Sequence, residues 1–392
     1  MKKTIFLVWL LILICNIHWI PSTNIYTLTE QYGFPLETYY VTTPDGYILR
    51  LFRINHRDDT QSDESRPVIL MQHGMIGASE DYLSHGPDLS PAFFLVENGY
   101  DVWLSNARGN RYSRNHTTLD PDTDPEFWRF TTAEMGYDLQ INIEFVLNFT
   151  SAQSLTYIGY SQSTTIGFTA LWTNNSWFEG RVNLYVAIVP LVRLDYITSP
   201  VFLTLFNSRV LLPTLRRLGV NEFFTANFFS TTTSTVVCSL FTTLWNQLDT
   251  YAFEGDASVD DLESIRVYTS HAPAGAAMGY LEHIGQIHLA RRFQYFDYGP
   301  EENQARYNST TPPEMDPASI RNVPIAIFNG RFDLLSDIQD VNWLAQQLSN
   351  VLVAHNEYDY GHLTFLIGRN MTYLDDMLAI INQYAQAPAA SG

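Results

Sequence analysis

Short, nearly continuous apolar runs recur along the chain and stop at Gly, Pro or a polar residue: RPVILMQHG, GYDVWLSNARG, SLTYIGYS, VNLYVAIVP, VPIAIFNGRFD and VLVAHNEYDYGH. A strand covered on one face alternates apolar with polar, whereas one buried on both does not. These runs therefore predict a parallel sheet sandwiched by helices. Ahead of them, ETYYVTTPDGYILRLFRI holds two β-rich runs around Pro44, Asp45 and Gly46, a hairpin signal. Helical patterns fall between the strands. SPAFFLVENG closes on Gly99, TAEMGYDLQINIEFVLNF repeats its apolar residues at three and four, and SDIQDVNWLAQQLSN opens on Ser336 as a capping residue. Strands alternating with helices, without an internal repeat, predict a doubly wound α/β fold with a mostly parallel sheet. The alternation breaks over about 191–299. There SPVFLTLFNSRVLLPTLRRLG begins with Ser199 and Pro200 as N-cap and first helical residue, and ANFFSTTTSTVVCSLFTTLWNQL is full of Phe, Leu and Thr. This block predicts an inserted helical cap, or lid, over the carboxyl ends of the strands.

The first 22 residues, MKKTIFLVWLLILICNIHWIPS, place Lys2 and Lys3 ahead of an apolar run from Ile5 to about Cys15, then Pro21 and Ser22. That layout predicts a secretory signal over 1–22, cut near residues 20 to 24, and a mature chain over 23–392. The run is shorter than the roughly 20 apolar residues of a membrane span, so no stable anchor is expected after cleavage. Hydrophobic residues at 46% and aromatics at 14% argue for a well-buried core and against disorder. Cys15 falls in the signal and leaves Cys238 alone, unable to form an intramolecular disulfide and read as a buried, inert thiol. Five N-x-S/T sequons, at Asn115, Asn148, Asn174, Asn308 and Asn370, read as glycosylation acceptors of an exported protein. The net charge of −19 becomes −21 once Lys2 and Lys3 are removed, because the first 22 residues hold no acidic side chain. Such a surface repels polyanions. Nucleic acid is excluded as a partner, and any lipid contact is made through apolar surface.

Ser161 follows SLTYIGY and precedes QSTTIGFTALWTN, a strand-to-helix turn with small residues, Gly159 and Ser163, two places to either side. A turn that sharp lifts one hydroxyl clear of the sheet. Nucleophilic acyl transfer on this architecture then needs a carboxylate after a later strand and a histidine beyond it, in that chain order. After VPIAIFNG come Arg331, Phe332 and Asp333, with Asp337 as a rival. Beyond them stand His355, inside or at the edge of VLVAH, and His362, in the loop DYGHLTF; the loop position selects His362. In this reading His362 takes the proton of Ser161 and returns it to the leaving group, while Asp333 fixes the imidazole tautomer. Two backbone donors for the oxyanion are expected at Gln162, which starts the new helix, and at Met75, just after QHG. The chemistry calls for neither cofactor nor metal.

The segments TPDGYILRLFRI, LMQHGMIGAS, NGYDVWLSNARGNRYSRNHTTLDP, FWRFTTAEMGYDL, YIGYSQSTT, HAPAGAA, FDYG, NGRFDLLSDIQDV and YGHLTF run in family order from about Glu30 to Leu366. In them the chain resembles the acid lipases, the gastric and lysosomal lipase group of the α/β hydrolases. The resemblance implies an α/β-hydrolase fold, a secreted or lysosomal location, and Ser-His-Asp acyl-enzyme hydrolysis of acylglycerols or sterol esters. It also implies transient contact of the cap with a lipid surface. It carries the triad onto Ser161, Asp333 and His362, and the oxyanion amides onto Met75 and Gln162. An acidic pH optimum rests on this likeness alone. Two departures stand out. Ser163 replaces the second glycine of G-x-S-Q-G, where the helix returns close to the strand, so slight strain or local widening is expected. Mammalian relatives carry a cap disulfide that Cys238 cannot form, so the cap here is expected to be looser or held by packing only. Two other readings remain: a non-catalytic lipase-like lipid carrier, which Ser163 favours, and a carboxylesterase of small soluble esters.

Overall fold

The computed structural model describes residues 23–57, 66–208, 210–223 and 252–385. The signal expected over 1–22, Cys238 and the aromatic stretch over 226–248 expected in the cap lie outside them.

The apolar runs become one eight-stranded sheet. Its strands are β1 (Leu36–Thr42), β2 (Ile48–Ile54), β3 (Val68–Gln72), β4 (Asp101–Ser105), β5 (Leu155–Tyr160) and β6 (Val182–Ile188), then, after an interruption, β9 (Ile325–Gly330) and β10 (Leu352–Tyr358). Their spatial order is β1-β2-β4-β3-β5-β6-β9-β10; β2 runs antiparallel to both neighbours and the other adjacent pairs are parallel. The hairpin forms where Pro44, Asp45 and Gly46 place it, with Thr42 opposite Ile48 and Gly46 at a φ of 99°.

Alternate residues of the central strands feed two cores, one on each side of the sheet. Leu70, Tyr157 and Ile327 pack on one side and Met71, Ile158 and Phe328 on the other. Both faces are dry, so the sequence cannot alternate there. The edge strand β10 is only partly buried and leaves Val353 exposed, although its apolar run resembles the central ones.

The flanking helices include α1 (Pro91–Glu97), α2 (Thr132–Thr150) and α3 (Gln162–Thr173). Gly99, at a φ of 87°, turns the chain after α1, and Thr131 with Glu134 forms a capping box at the start of α2. Between β6 and β9 the chain makes α4 (Pro200–Asn207), α5 (Met278–Ala290) and a small ladder of β7 (Glu222–Phe223) with β8 (Ala276–Ala277). Ser199 caps α4, with Pro200 as its first residue, as the sequence predicts. α4 lies against α5 at Gly285, where a Cβ would stand 3.1 Å from the Phe206 ring. One cap assignment is corrected. Helix α6 (Ile338–Gln347) is capped by Asp337, whose carboxylate accepts the Gln339 N–H at 2.8 Å. Ser336 instead donates its hydroxyl to Pro190 O at 2.8 Å, a long-range bond that outcompetes the local one.

Candidate active site

Parallel strands bring their carboxyl ends to one edge, and the loops after β3, β5, β9 and β10 meet there. β5 ends at Tyr160 and α3 begins at Gln162, so Ser161 is the only residue of the turn. Its φ of 54° and ψ of −115° lie where side-chain-bearing residues are rare. Such a conformation costs about 1–3 kcal/mol, which the surroundings must offset. Ser161 N–H is held by Ile188 O at 3.0 Å, and Ser161 O accepts from Thr164 N–H at 2.9 Å and from the Thr164 hydroxyl at 2.6 Å. A Cβ at Gly159 would stand 3.1 Å from Ser163 O, so the returning helix leaves room only for glycine.

Ser163 neither splays nor loosens this elbow. Its fully buried hydroxyl accepts the Tyr160 N–H at 2.6 Å and donates to Gln72 O at 2.6 Å, with Tyr160 O a second acceptor at 2.9 Å. The extra atoms expected to strain the turn tie the end of β3 to it instead.

His362 Nε2 lies 2.8 Å from Ser161 Oγ, and His362 Nδ1 lies 2.7 Å from Asp333 Oδ2. The other Asp333 oxygen accepts the Leu335 and Ser336 N–H groups at 2.7 and 2.8 Å, which fixes the carboxylate's orientation. A carboxylate so placed accepts a hydrogen bond from the Nδ1–H and leaves Nε2 with its lone pair toward the serine hydroxyl. All three side chains are buried, and the Tyr160 hydroxyl donates to His362 O at 2.8 Å. The rivals are occupied elsewhere. Asp337 caps α6, and His355 stays in β10 with its Nε2 2.8 Å from Asn329 Oδ1.

Among the described residues neither the Met75 nor the Gln162 N–H meets an acceptor on the protein. The loop carrying Met75 is steadied by His73, a residue that motif reading passes over. Its Nε2 accepts the Ala107 N–H at 3.1 Å and the Asn110 amide at 3.0 Å, so its Nδ1 donates to Gly74 O at 2.7 Å. Burial pushes the His73 pKa down to about 4 and keeps the ring neutral. The available signal was QHG together with NARGN, which only contact can join.

Ser161, His362 and Met75 open into a cleft walled by Leu191, Leu194, Phe202, Phe206, Leu281 and Ile284, apolar residues from the stretch between β6 and β9. Asp81 also lines it, and burial beside Glu80 holds that carboxyl well above the usual carboxylate range. The arrangement can deprotonate a hydroxyl beside an apolar slot with two free N–H groups at hand.

The loop of His362 carries a titratable tether. Thr364 donates its hydroxyl to Asp260 at 2.7 Å and accepts the Gly361 N–H at 3.0 Å. Burial raises the Asp260 carboxyl from 3.8 to about 7. The folded protein therefore keeps this proton through pH values at which the unfolded chain has released it, so stability falls as pH rises from about 4 through 7. Asp260→Asn keeps an acceptor for Thr364 without the titration. Melting temperatures measured from pH 4 to 8 should decline less in this variant than in the native protein. Equal declines would refute the assignment; buried histidines of opposite sign, such as His73, are common to both proteins and cancel in the difference.

Of the sequon asparagines, Asn115, Asn148, Asn308 and Asn370 are exposed and Asn174 is half-buried. Among the described residues, no cluster of three or more His, Cys, Asp or Glu could hold a metal, and no helix is long and apolar enough to cross a membrane.

Two family descriptions match the chain: a partial alpha/beta-hydrolase lipase region over residues 25–86 and the alpha/beta hydrolase fold over residues 67–368. The gastric triacylglycerol lipase of Rattus norvegicus is 36% identical over 352 residues, covering 88% of this chain and 87% of that protein. The lysosomal acid lipase/cholesteryl ester hydrolase of Homo sapiens is 34% identical over 355 residues, 89% of this chain and 88% of that one. Among solved structures, a soluble variant of monoglyceride lipase from Saccharomyces cerevisiae superposes with a TM-score of 0.54 at 14% identity. It covers 89% of this chain and 96% of its own, a likeness of fold alone.

Proposed function

The chain belongs to the gastric and lysosomal acid lipase family of the α/β hydrolases, and on that premise we propose that Ser161, His362 and Asp333 carry out acyl-enzyme hydrolysis of long-chain lipid esters. One observation carries the assignment: Asp333, His362 and Ser161 form an unbroken line of bonds, 2.7 and 2.8 Å long, at the mouth of an apolar cleft. His362 accepts the Ser161 proton as the hydroxyl attacks the ester carbonyl, and Asp333 stabilises the imidazolium. The Met75 and Gln162 N–H groups receive the oxyanion, and His362 hands its proton to the departing alcohol; water then repeats the sequence on the acyl enzyme.

The substrate class follows from the cleft. Its wall offers aliphatic and aromatic surface with few polar groups, which suits an acyl chain of an acylglycerol or a sterol ester. Val210, Leu211, Leu218 and Val220 stand exposed on the cap side of the chain and supply apolar surface for a lipid interface, which a strongly acidic protein cannot reach by charge. Passage through the secretory pathway to the outside or to the lysosome is supported by the signal-like first 22 residues and by the sequons, of which Asn115, Asn148, Asn308 and Asn370 are exposed and Asn174 is half-buried.

Rates on emulsified long-chain triacylglycerol or cholesteryl ester, compared with a short soluble ester, test this reading. The long-chain substrates should be favoured by about tenfold or more in kcat/KM, since a few buried methylenes supply that much. A preference for the short ester would point to a small-molecule carboxylesterase, and lipid binding without turnover to a carrier.

A further inference from the structure

We propose that residues 253–260, the stem by which the chain returns from the cap, are a working part of the catalytic centre, with Glu254 as the positioning residue for His362. The inference rests on the roles assigned above to His362 and Asp333. It begins from where the stem runs, between the two loops that carry those residues.

On the acid side, Gly255 N–H donates to Phe332 O at 2.6 Å and Leu334 N–H donates to Phe253 O at 3.2 Å. The two bonds make Glu254 and Asp333 opposite members of an antiparallel bridge. A Cβ at Gly255 would stand 3.0 Å from Phe332 O, so this approach is as close as backbone allows. On the histidine side, Glu254 Oε1 accepts the Leu363 N–H, one residue past His362. The Phe253 ring lies face to face with the imidazole, centroids 5.9 Å apart and planes 24° apart. At Gly361, one residue before, an added Cβ would fall 1.0 Å from Glu254 Oε2, so the carboxylate would have to leave its place to admit one. The carboxylate thus lies on the backbone at both flanks of His362.

Glu254 is fully buried. A buried carboxyl is costly where a leucine would fill the same volume, so its presence at the point joining both loops fits a placing role and not packing. Asp260 repeats the theme six residues further on, through Thr364 to the Gly361 N–H. The separation of imidazole and acid is therefore set by a segment that belongs to neither loop. Misplacement of such groups by about 1 Å costs on the order of a hundredfold in rate.

Three variants, assayed for ester hydrolysis and for labelling by an active-site phosphonate, test the claim. Glu254→Ala should lower kcat about a hundredfold while KM stays within about threefold, since the substrate wall is untouched. Glu254→Gln, whose amide oxygen still accepts the Leu363 N–H, should recover kcat to within about fivefold of native. Thr364→Val, close in volume, leaves two buried groups unpaired and should lower the melting temperature by a few degrees, yet kcat about tenfold in the folded fraction, and it decides the matter if Glu254→Ala does not fold. Native kcat in either Glu254→Ala or Thr364→Val, or a loss matched by the unfolded fraction in circular dichroism, overturns the proposal. A native protein inert to the phosphonate would instead overturn the catalytic roles themselves.

Discussion

Ser161→Ala should reduce ester turnover by about a millionfold while leaving the fold intact, as removal of a triad nucleophile does elsewhere. The variant loses one oxygen whose only described bond is to His362 Nε2, so its thermal stability should stay near the native value. Relief of strain is not expected, because alanine at a φ of 54° meets the same Cβ clash as serine. A serine-directed phosphonate should label the native protein at this residue and leave the variant unmodified. Labelling that persists, or a rate within a few-fold of native, would mean that another group attacks the ester and that the line of bonds is incidental.

Asp333→Asn is expected to cost about ten-thousandfold in kcat, the size seen when the orienting acid of a triad becomes an amide. The geometry gives the reason. Leu335 and Ser336 N–H groups already point at one oxygen of residue 333, so an asparagine would keep its carbonyl there and turn its NH2 toward His362. His362 Nδ1 would then have to accept, its proton would sit on Nε2, and the ring could no longer take the proton of Ser161. KM for the ester should change little, because Asp333 does not line the cleft. Activity within tenfold of native in a correctly folded variant would show that the acid has no part in setting the tautomer.

Much of this arrangement is legible before any coordinates. Strands buried on both faces must be apolar without a break, so Val68–Gln72, Leu155–Tyr160 and Ile325–Gly330 declare themselves and their parallel order. A parallel sheet has one carboxyl edge, so residues just past those strands are gathered there whatever their separation in sequence. That rule, with the chain order serine, acid, histidine, leads to Ser161, Asp333 and His362 and leaves Asp337 as a rival for the acid. It fails where a residue's partner is distant and of no fixed type. Ser336 looks like a cap until Pro190 claims its hydroxyl, and Ser163 looks like a defect until Gln72 O appears beside it.

The sequence by itself determined the sheet, its direction and the three side chains brought to its edge, because burial and strand polarity are written in local pattern. Only the tertiary structure decided what holds those side chains in register. The ring of His73 under the loop of Met75 and the carboxylate of Glu254 against His362 act across 34 and 109 residues, respectively. A hydrogen bond over such a span depends on where two loops come to rest. No periodicity records that, since the bond forms only after the core has set the distance.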